Sequence, residues 1–229
     1  MYTQDQLKAM VANAAAQEVM QLAPGSVLGV GTGSTANLFI DAIAPHAKHF
    51  KGAVSSSEAS TARLKAHGFQ ILDCNQVKEI PIYVDGADEI DPQGHMLKGG
   101  GGALTREKIV AQLATKFICI CDASKQVQVL GQFPLPVEVL PMASEQVKRE
   151  LESLGATVSL RQKKEGDGVF VTDNQGWILD ASHLTIANPV TLESQINQIP
   201  GVIANGLFAR RKADLLLVST HAGVQKVAY

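Results

Sequence analysis

The chain has 229 residues, 45% of them hydrophobic and 18% charged, with a formal net charge of −2. That length supports one large domain, or a large one with a small companion, around a sizeable core, and a balanced charge without a basic cluster argues against nucleic-acid binding. No apolar run approaches the length of about 18 residues that a membrane helix needs, the start MYTQDQLKAM lacks the basic-then-apolar pattern of a secretory leader, and three cysteines (Cys74, Cys119, Cys121) fit reduced thiols in the cytoplasm.

Residues 5–22, DQLKAMVANAAAQEVMQL, predict an alanine-rich helix. After a PG turn, SVLGV reads as a short apolar strand that runs into the glycine loop GTGST. STANLFIDAIAPHA follows as a helix that Ser34 or Thr35 is placed to cap. GAVSSSEASTARLKAHG predicts a strand, a serine-rich loop and a helix, and IPIYVDGADEID a strand ending in acids. Residues 103–114 predict a helix and KFICICD a strand, with Cys119 and Cys121 on one face as small hydrophobes. Strands and helices alternate, and the unusual residues fall in the β-to-α loops. The fold class is therefore α/β, a doubly wound, mostly parallel sheet that binds ligands outside the carboxyl ends of its strands.

The rhythm changes near residue 132. QFPLPVEVLPMA is dotted with proline, and SEQVKRELESLG is an amphipathic helix. TVSLRQ, GVFVTD and GWILDAS are short strands, and PVTLESQINQIPGV is a helix opened by proline and closed by PG. These predict a smaller inserted α+β domain over 132–205, leaving 1–131 plus 206–229 as a catalytic α/β domain. ADLLLVST then returns to the main sheet. RQKK (161–164) and RRK (210–212) are short and read as solvated.

Three stretches carry chemistry. In GVGTGSTA (29–36), Gly31 to Ala36 satisfy the relaxed dinucleotide fingerprint, with Glu58 near the place of a ribose-binding acid. That signal is weak. Thr32, Ser34 and Thr35 at a helix start suit a small phosphate instead, and a Walker A lysine is missing. DGADEID (85–91) holds Asp85, Asp88, Glu89 and Asp91. A metal site, a solvated acidic turn and a catalytic group all remain open. The spacing is wrong for an EF-hand loop, while Asp85 ends an apolar strand, where open α/β sheets place catalytic groups.

KGGGGALTREKIVA (98–111) puts four glycines between Lys98 and a helix. Four glycines cost backbone entropy that something should offset. On a helix, Ala103, Leu104, Val110, Ala111 and Ala114 fall within about 60° of Glu107. A glutamate centred on an apolar face is either paired or poised as a base, since desolvation raises its pKa. Glycines admit a substrate to the backbone, whose N–H groups bind anions. A hinge followed by a salt-bridged glutamate is the plain alternative. Lys98 is either solvated or a source of positive charge for a developing oxyanion.

In order, GVGTGSTA, SSSEAST, VDGADEID and KGGGGALTREK resemble the type A ribose-5-phosphate isomerase family, and the resemblance runs over the whole chain through DASKQV and FPLPVEVLPMA. It implies interconversion of ribose 5-phosphate and ribulose 5-phosphate through an enediolate, in the non-oxidative pentose phosphate pathway. No cofactor or metal is implied, nor any nucleic-acid or membrane partner, and the enzyme would be a cytoplasmic homodimer. The resemblance places a phosphate and sugar loop on Thr32, Gly33, Ser34 and Thr35, and an aspartate loop on Asp85, Gly86, Ala87 and Asp88. A lysine-glycine loop falls on Lys98, Gly99, Gly100 and Gly101, the general base on Glu107, a substrate lysine on Lys125 and a further phosphate contact on Lys8. Asp85 would handle hydroxyl protons and ring opening, and Asp88 would orient the sugar. The rivals are a sugar-phosphate sensor that binds without isomerising, a coenzyme A transferase of similar fold that uses a glutamate as nucleophile, and an NAD-dependent oxidoreductase.

Overall fold

The computed structural model describes residues 2–229. Along the chain run α1 (Gln4–Val19), β1 (Val27–Val30), α2 (Ser34–Ile43), β2 (Gly52–Ser55), α3 (Glu58–Ala66) and β3 (Ile80–Asp85). Two short strands follow, β4 (Glu89–Ile90) and β5 (Met96–Leu97), then α4 (Leu104–Leu113) and β6 (Ala114–Asp122). Next come β7 (Leu135–Val139), α5 (Ser144–Ser153), β8 (Thr157–Leu160), β9 (Trp177–Ser182) and α6 (Pro189–Ile196). The chain closes with β10 (Val202–Asn205), β11 (Leu207–Phe208), β12 (Leu215–Thr220) and β13 (Gly223–Ala228). Two compact units result: the chain up to Ala87 with Arg106–Gln126 and Arg211–Tyr229, and Asp88–Thr105 with Val127–Arg210.

The first unit is built on a six-stranded sheet of order β13-β12-β6-β3-β1-β2. All its pairs are parallel except the β12–β13 hairpin. This is the mostly parallel α/β sheet that the alternation of strands and helices predicts. Its inner strands β1, β3 and β12 are largely apolar because they are buried on both faces, whereas the edge strand β13 is mostly exposed and carries Gln225 and Lys226. Leu28, Val30, Ile118, Ile120 and Leu217 pack with Phe39 and Ile40 of α2 and with the alanine-rich face of α1. A capping box starts α1: the Gln6 N–H donates to Thr3 Oγ1 at 3.2 Å, and the Thr3 N–H donates to the Gln6 side chain at 2.8 Å.

The second unit holds an antiparallel four-stranded sheet, β10-β7-β9-β8, and a three-stranded one, β11-β5-β4. Val137, Val147, Leu151, Leu179 and Ile196 share its core. Residues 88–105 belong to this unit rather than with the parallel sheet, because β5 pairs with both β4 and β11. GVFVTD forms no strand and contributes only isolated bridges, Gln162↔Val169 and Val171↔Trp177. Its Thr172 instead closes a turn by donating its N–H to the Gly176 carbonyl at 2.9 Å. Among the described residues no helix is long and apolar enough to cross a membrane.

Candidate active site

In the first unit the chemistry gathers at the carboxyl ends of β1 and β3, which are neighbours in parallel register (Val30↔Val84). Asp85 ends β3 and is fully buried. Its Oδ1 accepts the Thr32 N–H at 3.1 Å and the Gly86 N–H at 2.7 Å, and its Oδ2 accepts the Tyr83 hydroxyl. The strand period of two puts Tyr83 and Asp85 on one face. Gly31 is obligatory, because a Cβ there would lie 1.9 Å from Asp85 Cγ. The GTGST loop is braced from behind by the serine loop. Thr32 Oγ1 lies 2.8 Å from Ser56 Oγ and donates to Ser57 Oγ at 2.9 Å, and Ser60 Oγ donates to the Gly31 carbonyl at 2.8 Å.

The expected cap of α2 needs correction. Gly33 holds the N-cap position with φ 110°, and no side chain caps the helix. A left-handed φ favours glycine, so Ser34 and Thr35 fall inside the first turn instead of before it. Ser34 and Gly33 are exposed, and Thr35 is half-buried. An N-terminus without a side-chain cap is a site where anions are stabilised.

Glu107 lies in the first half of α4 and is only 4% exposed. Ala103, Leu104, Val110, Ala111 and Ala114 are buried too, while Ile109 on the other side is 50% exposed. The carboxylate therefore lies on the apolar face, where the helical spacing puts it, and Arg106 beside it pairs outward with Glu58 at 2.8 Å. Tyr83 senses both acids. Burial first, then the charges of Asp85 and Glu107, push its phenol well above the usual value, so it stays a protonated donor. Lys125 is half-buried in a 3₁₀ turn after β6, whose cap is Asp122 accepting the Ser124 N–H at 3.0 Å. Burial pushes Asp122 up, but the Ser124 and Gln4 hydrogen bonds and the Lys125 charge outweigh it, and its pKa is lowered. Lys8 Nζ lies 3.9 Å from Asp5.

In the second unit, Asp88 faces the glycine run. Its N–H donates to the Leu97 carbonyl at 2.9 Å, and its Oδ2 accepts the Gly100 N–H at 2.8 Å. The run is a turn closed by the Gly102 N–H on the Gly99 carbonyl at 2.9 Å, with φ of 104° at Gly99 and 81° at Gly102. A Cβ on Gly100 would lie 2.8 Å from Asp88 Oδ1, and one on Gly102 would lie 2.5 Å from the Phe170 ring. Positive φ and close approach thus account for three of the four glycines, and Gly101 is exposed. Lys98 is 3% exposed, with its Nζ 5.4 Å from the centre of the Phe208 ring, a cation–π arrangement.

The acidic run is not a solvated turn. Glu89 is buried and accepts the Gly131 N–H at 2.7 Å, and Asp91 Oδ2 lies 2.8 Å from His95 Nδ1. Among the described residues, no group of three or more His, Cys, Asp and Glu side chains is arranged to hold a metal ion. In the two basic clusters read as solvated, Gln162, Lys163, Lys164 and Arg210 are exposed, but Arg161 and Arg211 need correction. Arg161 forms a fork on Asp180, with Nε to Oδ2 at 2.8 Å, and its Nη1 donates to the Gly99 and Gly100 carbonyls at 2.9 and 3.3 Å. Arg211 closes the end of α4 by donating to the Ala111 and Ala114 carbonyls at 3.1 and 3.0 Å. Backbone carbonyls and partly buried carboxylates supply both with partners.

The structure thus joins Thr32 to Asp85, and Asp88 to Gly100, and puts Glu107 in the electrostatic range of Tyr83. The profile of the ribose 5-phosphate isomerase A (phosphoriboisomerase A) family matches residues 52–223. A curated relative, ribose-5-phosphate isomerase A of Polynucleobacter asymbioticus, is 62% identical over 98% of each chain. Among solved structures, ribose 5-phosphate isomerase A from Neisseria gonorrhoeae is 41% identical with a TM-score of 0.93, covering 100% of this chain and 98% of that one. A D-ribose-5-phosphate isomerase in complex with phospho-erythronic acid is 36% identical with a TM-score of 0.94, over 100% of both chains.

Proposed function

The chain belongs to the ribose-5-phosphate isomerase A family, and from that premise we propose a residue-by-residue mechanism for its sugar-phosphate isomerisation. The observation that carries it is the Glu107 carboxylate, nearly buried on the apolar face of α4. Glu107 takes the proton from C2 of open-chain ribose 5-phosphate and returns it to C1, while the hydroxyl proton moves from O2 to O1. Ribulose 5-phosphate results, with atoms and charge balanced and no redox partner. Negative charge peaks on the enediolate oxygen. Lys98 and the N–H groups of Gly99 and Gly101 stabilise it, the Gly100 N–H being held by Asp88; this is where preorganised donors act most strongly.

Asp85 handles hydroxyl protons and opens the furanose ring, and Asp88 orients the open sugar. The phosphate is held by Thr32–Thr35 at the start of α2, with Gly86 and Ala87 lining the sugar and Lys125 and Lys8 adding positive charge. The uncapped start of α2 supports this assignment. The same reading makes the enzyme cofactor-independent, cytoplasmic and a homodimer. Phospho-erythronic acid, which a relative's structure holds, should bind here as well, because its carboxylate resembles the enediolate in charge.

One coupled assay tests the proposal: ribose 5-phosphate in, ketose out, with EDTA present and no nucleotide or metal added. Full activity is expected, with inorganic phosphate and phospho-erythronic acid as competitive inhibitors. Activity lost in EDTA and restored by manganese or magnesium would move Asp85, Asp88 and Asp91 into a metal site. Binding without turnover would make the chain a sensor. Light scattering that gives the mass of two chains is the outcome expected of the homodimer.

A further inference from the structure

Arg161 is a partly buried cation outside the machinery just described, and its contacts are specific. Its side chain is 14% exposed, and its fork is neutralised by Asp180. The remaining nitrogen, Nη1, reaches two successive backbone carbonyls, those of Gly99 and Gly100. Its guanidinium carbon also stands 5.9 Å from the centre of the Phe170 ring, the ring that a Cβ at Gly102 would strike. The arginine, the phenylalanine and the glycine turn therefore pack as one piece.

The peptide bonds are trans, so the N–H of each residue points opposite to the carbonyl of the residue before it. Arg161 draws the Gly99 carbonyl to one side, and the Gly100 N–H accordingly points the other way, where it donates to Asp88 Oδ2 at 2.8 Å. The Gly100 carbonyl is drawn to Arg161 as well. By the same rule the Gly101 N–H points away from Arg161, towards the side of Asp88, and Gly101 is exposed.

We propose that Arg161, held by Asp180, is a positioning residue that sets the peptide planes of Gly99–Gly101 so that the Gly101 N–H is aimed at the enediolate oxygen. This rests on the reading above that the lysine-glycine loop stabilises that oxygen. Glycine peptides rotate easily, so without an external brace the donor would be poorly oriented. Arginine suits the task because its planar fork binds a carboxylate along one edge and still presents a donor to the carbonyls, which lysine cannot do at once. Neutralisation by Asp180 keeps the effect geometric rather than a change in the charge felt by the phosphate.

The test uses the full enzyme with Arg161→Lys, Arg161→Met and Asp180→Asn, each checked for folding by circular dichroism and thermal melting. A mis-set donor should lower kcat by about a hundredfold, with KM and inhibition by inorganic phosphate within about threefold of wild type, since these report ground-state binding. Affinity for phospho-erythronic acid should fall in step with kcat/KM, because its carboxylate depends on the same donor. A merely structural arginine would leave that correlation absent. A folded Arg161→Lys protein with wild-type kcat overturns the proposal, and so does a loss carried by KM and phosphate binding alone. If Arg161→Met does not fold, Arg161→Lys and Asp180→Asn decide the matter. Glu107→Gln assayed alongside separates the two readings: wild-type turnover in that variant refutes the base assignment, whereas the Arg161 series reports on the loop.

Discussion

Asp85 and Glu107 are both buried carboxylates, but their surroundings differ. Asp85 accepts two backbone N–H groups and a phenol, which fixes its orientation. Glu107 lies on an apolar helix face among Leu104, Val110 and Ala111. Two carboxylates in unlike environments are suited to unlike tasks. Glu107→Gln keeps the shape but cannot take the C2 proton. Turnover should fall by roughly two to four orders of magnitude, the range for losing a general base, while substrate still binds and the protein stays folded. In deuterated water the wild type should place deuterium on the sugar unless the glutamate shields its proton from exchange, and the variant should neither isomerise nor exchange. Near-normal turnover in the folded variant would sink the assignment and leave Asp85 as the next candidate.

Among the elements, α2 has the most direct link between its ends and its function. Its inner face anchors the sheet through Phe39, Ile40 and Ile43, and its start carries no side-chain cap. If that start holds the phosphate, Thr35→Val removes a hydroxyl present at binding and throughout the chemical step. KM should rise several-fold and kcat should change little; a fall in kcat at constant KM would count against the phosphate assignment. The periodicity that makes α2, β3, α4 and β6 legible in the sequence also makes the Glu107 face legible, since that face depends only on spacing within one helix. The Gly33 cap is not legible in the same way, because three polar residues compete for it and a backbone angle decides. β4, β5 and β11 are two residues long, too short to carry a period. Arg161 and Arg211 meet carbonyls 62 and 100 residues away. No local pattern encodes such partners, so the basic tripeptide and tetrapeptide read as surface. Tyr83 was within reach: it stands two residues before Asp85 on a strand, hence on the same face.

For the whole molecule, the pH range of stability follows from groups placed in the first unit. Asp41 of α2 is bound by Arg63 at 2.9 Å and by His67 at 3.0 Å, and the Arg63 hydrogen bond, partly opposed by burial, lowers its pKa. A carboxyl with a depressed folded pKa adds stability above its unfolded value, and that stability is lost as pH falls through the folded one. The side chain is 36% exposed, so solvent screens the pair and its share is modest. Tyr83 limits the alkaline side. Its folded pKa lies well above the ordinary phenol value of 10.0, so its contribution is complete below that pH. It is lost as pH rises towards the folded value, because the unfolded chain ionises first. Urea unfolding across pH should therefore show an acid limb that Asp41→Asn makes slightly shallower and an alkaline limb that Tyr83→Phe flattens. The phenylalanine variant should also lose about 1–3 kcal/mol at neutral pH, since buried Asp85 loses a donor. An unchanged alkaline limb in a folded Tyr83→Phe protein would mean that the phenol ionises equally in both states, and that burial, Asp85 and Glu107 do not hold it neutral.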